Sequence, residues 1–461
     1  MVRETRLDLN PSSLTKRNHV IVKFVISLLL MGLAFRLFIS DSFPFSPFQD
    51  TQTPPDSLPL SLVQDTLTPP LLPTQPDSPP PVSSFPIQPP ISVDLQANHT
   101  PQYVIAVAEK CDLFTGDWIP DSSGPAYTNE SCHEIENHQN CMRNGRPDSD
   151  YLYWRWNPRD CGLPRFNPER FLDLMRNKSW AFIGDSISRN HVQSLLCILS
   201  QVEQAVEVYH DEEYRSKIWR FPSYNFILSV IWTPFLVKAA IFEDINGVST
   251  SEIQLYLDEL DKKWTEKYKS LDYVVIAGGK WFLKTAIYHE NNTISGCHYC
   301  PGKNLTELGF DYAYRKALQL VLKFITGSDN KAFVLFRTTT PDHFENGEWF
   351  SGGVCNRTAP FKGEIDMKDV DAIMHEIELE EVEKVTAMAA ENGIVLKLLD
   401  TTRLSMLRPD GHPGPYRQFQ PFAKAKNATV QNDCLHWCLP GPIDSWNDLV
   451  MEIIVNSGPN Q

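Results

Sequence analysis

Apolar positions along this chain fall into three regimes, and each predicts a different structure. Residues 20–39, VIVKFVISLLLMGLAFRLFI, are apolar with only Lys23 and Arg36 interrupting. That matches the roughly 20 residues a helix needs to cross a bilayer core. Both charges lie near the ends of the run, where long stems reach the headgroups. From Asp41 to Ala108 periodicity gives way to Pro, Ser and Thr, as in TPPDSLPLSLVQDTLTPPLLPTQPDSPPPVSS. Such a segment has few amide donors for a regular ladder and reads as an extended, disordered stem with polyproline II character. From Glu109 onward the pattern becomes globular. Apolar runs at 180–184, 226–232, 273–279, 332–337 and 394–399 read as strands, alternating with helical patterns near 168–176, 188–200, 251–267, 309–326 and 366–391. That alternation predicts an α/β domain on a largely parallel sheet. The stretch to about residue 165, rich in turns and holding four cysteines, predicts a smaller disulfide-rich lobe. The acidic run HEIELEEVEKVTAMAAENG reads as a solvated amphipathic helix ending at Gly393.

Charge orients the apolar run. Arg3, Arg6, Lys16 and Arg17 precede it, and no Lys or Arg occurs between Arg36 and Lys110. The positive-inside bias therefore predicts a cytoplasmic tail (1–18), a transmembrane signal anchor (19–40), a lumenal stem (41–108) and a lumenal domain (109–461). A cleaved signal peptide fits less well, because the run is long and no small-x-small site follows. The ten cysteines all follow the span, which suits an oxidising compartment. Seven Asn-x-Ser/Thr sites, at Asn98, Asn129, Asn177, Asn291, Asn304, Asn356 and Asn427, could carry glycans there. A net charge of -15 argues against a nucleic-acid partner, since phosphate binders present basic faces.

The candidate chemistry begins at WAFIGDSISRNHVQSLLC. Ser186 falls just after a predicted strand and at the start of a helix, where sites gather in open parallel sheets. A serine there is often only a helix cap; as a nucleophile it needs a base and an orienter. Asp433 and His436, three residues apart in NDCLHWCLPG, supply that pair and are flanked by Cys434 and Cys438. A carboxylate on one imidazole nitrogen fixes the tautomer and leaves the other nitrogen to take a proton. Asp410 and His412 form a rival pair, whose two-residue spacing in a Pro/Gly-rich loop favours a structuring role. Cys297, His298 and Cys300, with His289 nearby, could be metal ligands. In an oxidising lumen disulfides are the better reading, so no metal is expected. Trp281 and Trp349 could form a sugar platform or belong to the core.

The Gly184-Asp185-Ser186 motif near the start of the domain and Asp433-x-x-His436 near its end resemble the plant trichome birefringence-like family of polysaccharide O-acetyltransferases. CDLFTGDWIPD, YLYWRWNPRDCGLPRFN, AGGKWF, FRTTTPDHFENGEWFSGGVCN and DCLHWCLPGPIDSWN support the likeness over nearly all of the predicted lumenal part. The resemblance implies a single-pass type II Golgi membrane protein with a GDSL/SGNH-esterase-like core. In it Ser186 would be the nucleophile, His436 the general base and acid, and Asp433 its orienter. It implies the bridges Cys111–Cys161, Cys132–Cys197, Cys141–Cys438 and Cys355–Cys434, leaving Cys297–Cys300 as a local pair. Gly278-Gly279-Lys280-Trp281 departs from the oxyanion-hole asparagine of GDSL hydrolases; Ser186 N–H, Gly279 and Arg189 stand as candidate donors. WFLKTAIYHENNTISGCHYC and LGFDYAYRKAL look most like the xyloglucan-acetylating branch, with galactosyl hydroxyls as acceptor. No bound cofactor is implied. An acetyl donor is required, and a multi-span protein relaying acetyl across the membrane is an expected partner. Xylan or mannan acetylation, a polysaccharide acetylesterase and a non-catalytic polysaccharide binder remain alternatives.

Overall fold

A computed structural model describes residues 111–242 and 250–457. The predicted tail, anchor and stem lie outside these residues, as does Asn98. Among the described residues no helix is long and apolar enough to cross a membrane.

Among the described residues there are three sheets. Strands β1 (Gly116–Pro120) and β2 (Trp154–Pro158) pair antiparallel as a ribbon. The large sheet contains β3 (Ser179–Gly184), β4 (Val206–His210), β5 (Lys217–Phe221) and β6 (Phe226–Trp232). A smaller sheet begins with β7 (Val237–Ala240) and β8 (Ile253–Leu260). Strand β9 (Tyr273–Ile276) returns to the large sheet, while β10 (Ala286–Glu290) and β11 (Thr293–His298) complete the small one. Strands β12 (Phe333–Arg337) and β13 (Val395–Leu399) end the large sheet. Its order is β13-β12-β9-β3-β6-β5-β4, parallel from β13 to β6 and antiparallel beyond.

The parallel strands are apolar on both faces because both faces are covered. In β3, Trp180 and Phe182 join one buried cluster with Leu195 and Trp446, while Ala181 and Ile183 join another with Val274 and Leu318. The helices supplying these layers are α1 (Pro168–Leu174), α2 (Ser186–Leu199), α3 (Lys262–Tyr268), α4 (Gly309–Thr326), α5 (Asp369–Glu391), α6 (Thr402–Met406) and α7 (Asp444–Ser457). Helices α2 and α7 lie in the first cluster, α4 and α5 in the second. The chain leaves β3 for β6 on one side and returns to β9 on the other. The carboxyl end of β3 is thus a switch point, where doubly wound sheets open a crevice.

The parallel sheet and its five predicted strands are present, with 273–279 shortened to β9 and its two glycines left beyond the strand. The helix expected over 251–267 is half strand. Ile253, Leu255 and Leu257 alternate as buried residues along β8, and Asp261 then caps α3 by accepting from Lys263 N–H. The acidic helix is not purely solvated either. Glu378 and Glu381 are buried, and Glu378 accepts from the Thr339 N–H and from the hydroxyls of Thr339 and Tyr314.

All ten cysteines are paired, as Cys111–Cys161, Cys132–Cys197, Cys141–Cys438, Cys297–Cys300 and Cys355–Cys434. Cys132–Cys197 fastens the small lobe to α2, and Cys141–Cys438 fastens it to the Asp433–His436 segment. Hydrogen bonds tighten the second junction. Leu439 N–H donates to the Gln139 carbonyl at 2.9 Å, and Arg146 donates to the carbonyls of Asp410 and His412.

Candidate active site

The turn after β3 is built for close approach. A Cβ on Gly184 would lie 2.5 Å from Ser188 Oγ and 2.7 Å from the Ala277 carbonyl oxygen, and its φ is +157°. Asp185 takes the cap position of α2, its carboxylate accepting from Ile187 N–H at 2.9 Å. The capping task therefore falls to Asp185. Ser186 is the first helical residue, and its hydroxyl has no hydrogen bond within the protein. Along α2 only Ser186 and Arg189 escape full burial. A half-buried serine at the positive end of an otherwise buried helix is well placed for chemistry in which negative charge develops.

Asp433 and His436 sit in a tight turn rather than a helix. The Asp433 carboxylate accepts from the N–H groups of Leu435 and His436, at 3.2 and 3.0 Å. It also holds His436 Nδ1 with both oxygens, at 2.9 and 3.1 Å. Burial opposes ionisation of Asp433, but the neighbouring imidazole and these donors hold its carboxyl well below the usual range. Burial likewise disfavours the charged imidazole of His436, yet the Asp433 carboxylate outweighs it and raises its pKa. His436 Nε2 is buried and has no hydrogen-bond partner.

Asn190 aligns this turn with Ser186. One turn along α2, its amide accepts from Trp437 N–H at 2.7 Å and donates to the Trp437 carbonyl at 3.2 Å. His436 therefore has Arg189 and Asp185, the neighbours of Ser186, as charge neighbours. Ser186 and Leu435 line one cavity of about 20 Å³, with Asp185, Ile187, Gly278, Gly279, Lys280, Trp281, Arg337, Thr339 and Thr340. That is room for about one small group. The Ser186 hydroxyl and His436 Nε2 form no hydrogen bond in this structure; such contacts often tighten only around substrate.

The rival pair has a different role. Asp410 is bound by Arg408 at 2.8 and 3.0 Å, both side chains fully buried. His412 Nδ1–H donates to the His436 carbonyl at 2.8 Å, its Nε2 lies 2.7 Å from His343 Nδ1, and its ring stacks on Trp437 at 4.3 Å. Burial pushes its pKa down to about 3. His412 is a strut beneath the turn. Cys297, Cys300 and Glu307 group closely, but the two sulfurs are bonded to each other. His289 instead meets Gln254 at 2.8 Å and His298 meets Glu307 at 3.1 Å.

Of the candidate oxyanion donors, Ser186 and Gly279 line the cavity, and neither N–H is bonded within the protein. Arg189 lies beside His436 with its Nε buried and unpartnered. Trp281 lines the cavity and packs edge-on against Trp232 and Phe235, whereas Trp349 is 48% exposed and packs edge-on against the more exposed Phe350. Trp349 belongs to a loop bound to the Asp433–His436 turn through Cys355–Cys434 and a Gln431 side-chain bond to its carbonyl. Asn177, Asn291, Asn304, Asn356 and Asn427 are exposed and Asn129 half-buried. Sequence reasoning missed His138, whose ring packs edge-on against His436 at 6.0 Å, and the Asn190 clamp. The first gives no sequence signal. The second was open to inference, because an asparagine one turn after Ser186 falls on the same helix face.

Residues 163–453 match the PC-Esterase family, described as a GDSL/SGNH-like acyl-esterase family found in Pmr5 and Cas1p, and residues 109–162 match the PMR5 N-terminal domain. Protein trichome birefringence-like 25 of Arabidopsis thaliana is 59% identical over 96% of this chain and 94% of its own length. This chain is a trichome birefringence-like protein. The family boundary at residue 162 coincides with the passage from the small lobe to the esterase-like sheet. Another family member, trichome birefringence-like 26 of Arabidopsis thaliana, is 64% identical over 75% of this chain and 78% of its own. Xyloglucan O-acetyltransferase 1 of Populus trichocarpa is 45% identical over 76% and 82% respectively.

Proposed function

We propose that this protein is a polysaccharide O-acetyltransferase that carries the acetyl group on Ser186. The observation carrying the reading is the His436 imidazole. One of its nitrogens is held by Asp433 and the other is buried without a partner, on a turn clamped to the helix that begins with Ser186. In the first step His436 Nε2 takes the Ser186 proton as Oγ attacks the acetyl carbon of an ester or thioester donor. The bond to the donor breaks and its leaving group departs with that proton. In the second, a sugar hydroxyl gives its proton to His436 and attacks the acetyl carbon, the bond from that carbon to Ser186 Oγ breaks, and the proton passes to the departing Oγ. Water competes at about 55 M, whereas well-oriented groups reach effective molarities of roughly 10⁵ M. Positioning of the acceptor, with Trp281 and Trp349 as sugar platforms, therefore decides transfer against hydrolysis.

The acceptor is a neutral hemicellulose. Relatives named xyloglucan O-acetyltransferase support galactosyl hydroxyls of xyloglucan. The trichome birefringence-like proteins 23 to 26, at 53 to 64% identity, carry names that specify no acceptor, so acetylation of another hemicellulose, xylan or mannan, is the second reading. The apolar run at 19–40 would anchor the enzyme in the Golgi membrane with its domain lumenal and glycosylated. A multi-span partner would supply acetyl from the cytosolic side.

Incubating the full chain with an acetyl ester donor and a panel of xyloglucan, mannan and xylan oligosaccharides tests this reading. Gain of one acetyl on one member identifies the acceptor. Loss of acetyl from pre-acetylated chains makes the protein an esterase, and binding without change makes it a lectin.

A further inference from the structure

We infer that Arg337 is a further catalytic residue, whose guanidinium stabilises the negative charge on the acyl oxygen while Ser186 is acylated and deacylated. The inference rests on the proposed role of Ser186. Arg337 ends β12 with 1% of its surface exposed, and its Nε and Nη1 are buried with no hydrogen-bond partner. Among the described residues no carboxylate forms an ion pair with it; Asp185, which lines the same cavity, and Glu378 act on it only at longer range. The ring of Trp446 lies 5.2 Å from its guanidinium. A buried cation without an ion pair is costly, because desolvation is repaid only by a close anion or good hydrogen bonds. Its position makes the arrangement stranger. It shares the small cavity with Ser186, at the positive end of α2, where a further cation is disfavoured.

Thr340, from the loop after the same strand, lines the cavity too, and its Oγ1 is also buried and unpartnered. Two buried polar side chains, one ending β12 and one from the loop after it, thus meet the free N–H groups of Ser186 and Gly279 around a space for about one small group. Buried polar atoms in folded proteins are nearly always satisfied, by protein, water or a ligand. What satisfies all four donors is an oxygen that becomes negative. When Ser186 Oγ bonds to the acetyl carbon, the carbonyl electron pair moves onto that oxygen, and it returns when the bond to the leaving group breaks. Fixed donors at that point stabilise the transition state more than the ground state. The missing GDSL-type asparagine after Gly278-Gly279 is thereby replaced by a residue from the neighbouring strand.

The test measures sulfonylation of the full chain by methanesulfonyl fluoride, a probe close to acetyl in size. Serine oxygen bonds to sulfur, the sulfur–fluorine bond breaks, fluoride leaves and the serine proton passes to His436. Peptide mass mapping locates the adduct. With wild type labelled at Ser186, Arg337→Gln is expected to react about 10²-fold more slowly and Arg337→Lys to recover part of the loss. Millimolar guanidinium should partly rescue Arg337→Ala, which a purely structural loss would not allow. Thr340→Val, which keeps the shape, is expected to react roughly 10-fold more slowly. A wild-type rate in a folded Arg337 variant overturns the inference. If no Arg337 variant folds, a wild-type rate in Thr340→Val overturns it. Failure of wild type to label at Ser186 overturns the nucleophile assignment and the inference together.

Discussion

Two aspartate–histidine pairs lie within 30 residues of each other, and the structure gives them opposite fates. Asp433 binds the Nδ1 of His436 and leaves Nε2 unpartnered, so the imidazole is raised in basicity and has one nitrogen unused. Asp410 binds Arg408 instead, and both nitrogens of His412 are engaged, one on the His436 carbonyl and one on His343. Burial then pushes His412 far below the physiological range. Residue type does not distinguish a base from a strut. The decisive difference is where the carboxylate goes. One supports the imidazole's charge; the other is neutralised by an arginine two residues away.

The comparison is broken most severely by removing the base. His436→Ala is expected to lower acetyl transfer by about 10⁶-fold, as loss of a triad histidine does, with near-UV circular dichroism unchanged. Asp433→Asn comes next, with a loss of about 10³- to 10⁴-fold. It also carries a distinguishing sign. Asp433 raises the pKa of His436, and the base must be neutral to act, so the wild-type acid limb of kcat/KM lies above the ordinary histidine value. Without the carboxylate that limb should move to lower pH, read from a pH–rate profile. His412→Phe keeps the stack on Trp437 but strands the His436 carbonyl. It should destabilise the fold by about 1–3 kcal/mol in denaturant unfolding and leave the acid limb in place. A limb that moved with His412 would exchange the two roles. Smallest of all, Trp349→Ala should raise the acceptor KM several-fold with little change in kcat, because base–nucleophile geometry is untouched.

Much of the frame was legible because its strands are buried on both faces. WAFIG has no polar position and FILSVIW only Ser229, which is buried and donates to the Trp180 carbonyl, and the Gly184-Asp185-Ser186 turn must follow the first run. The segment 251–267 was misread because Ile253, Leu255 and Leu257 carry period-two burial into a short capped helix, and the two patterns merge over so few residues. The pair Asp433–His436 was legible from its spacing together with the family resemblance. What holds it in place was not. Asn190 grips Trp437 from 247 residues away, and Arg337 gains its meaning only from the cavity it shares with Ser186. The acidic helix shows the same limit. Glu378 looks like any other surface glutamate in HEIELEE, yet burial raises its pKa to about 7 while two hydroxyls and an N–H bind it.

The central assignment is tested most directly by catching the intermediate. Rapid acid quench of the enzyme with an acetyl donor and no acceptor, followed by peptide mass mapping, should find one acetyl group on the peptide carrying Ser186. The adduct should disappear on adding acceptor oligosaccharide and be absent in His436→Ala. An acetyl group found on another residue, or turnover in Ser186→Ala at the wild-type rate, would contradict the assignment.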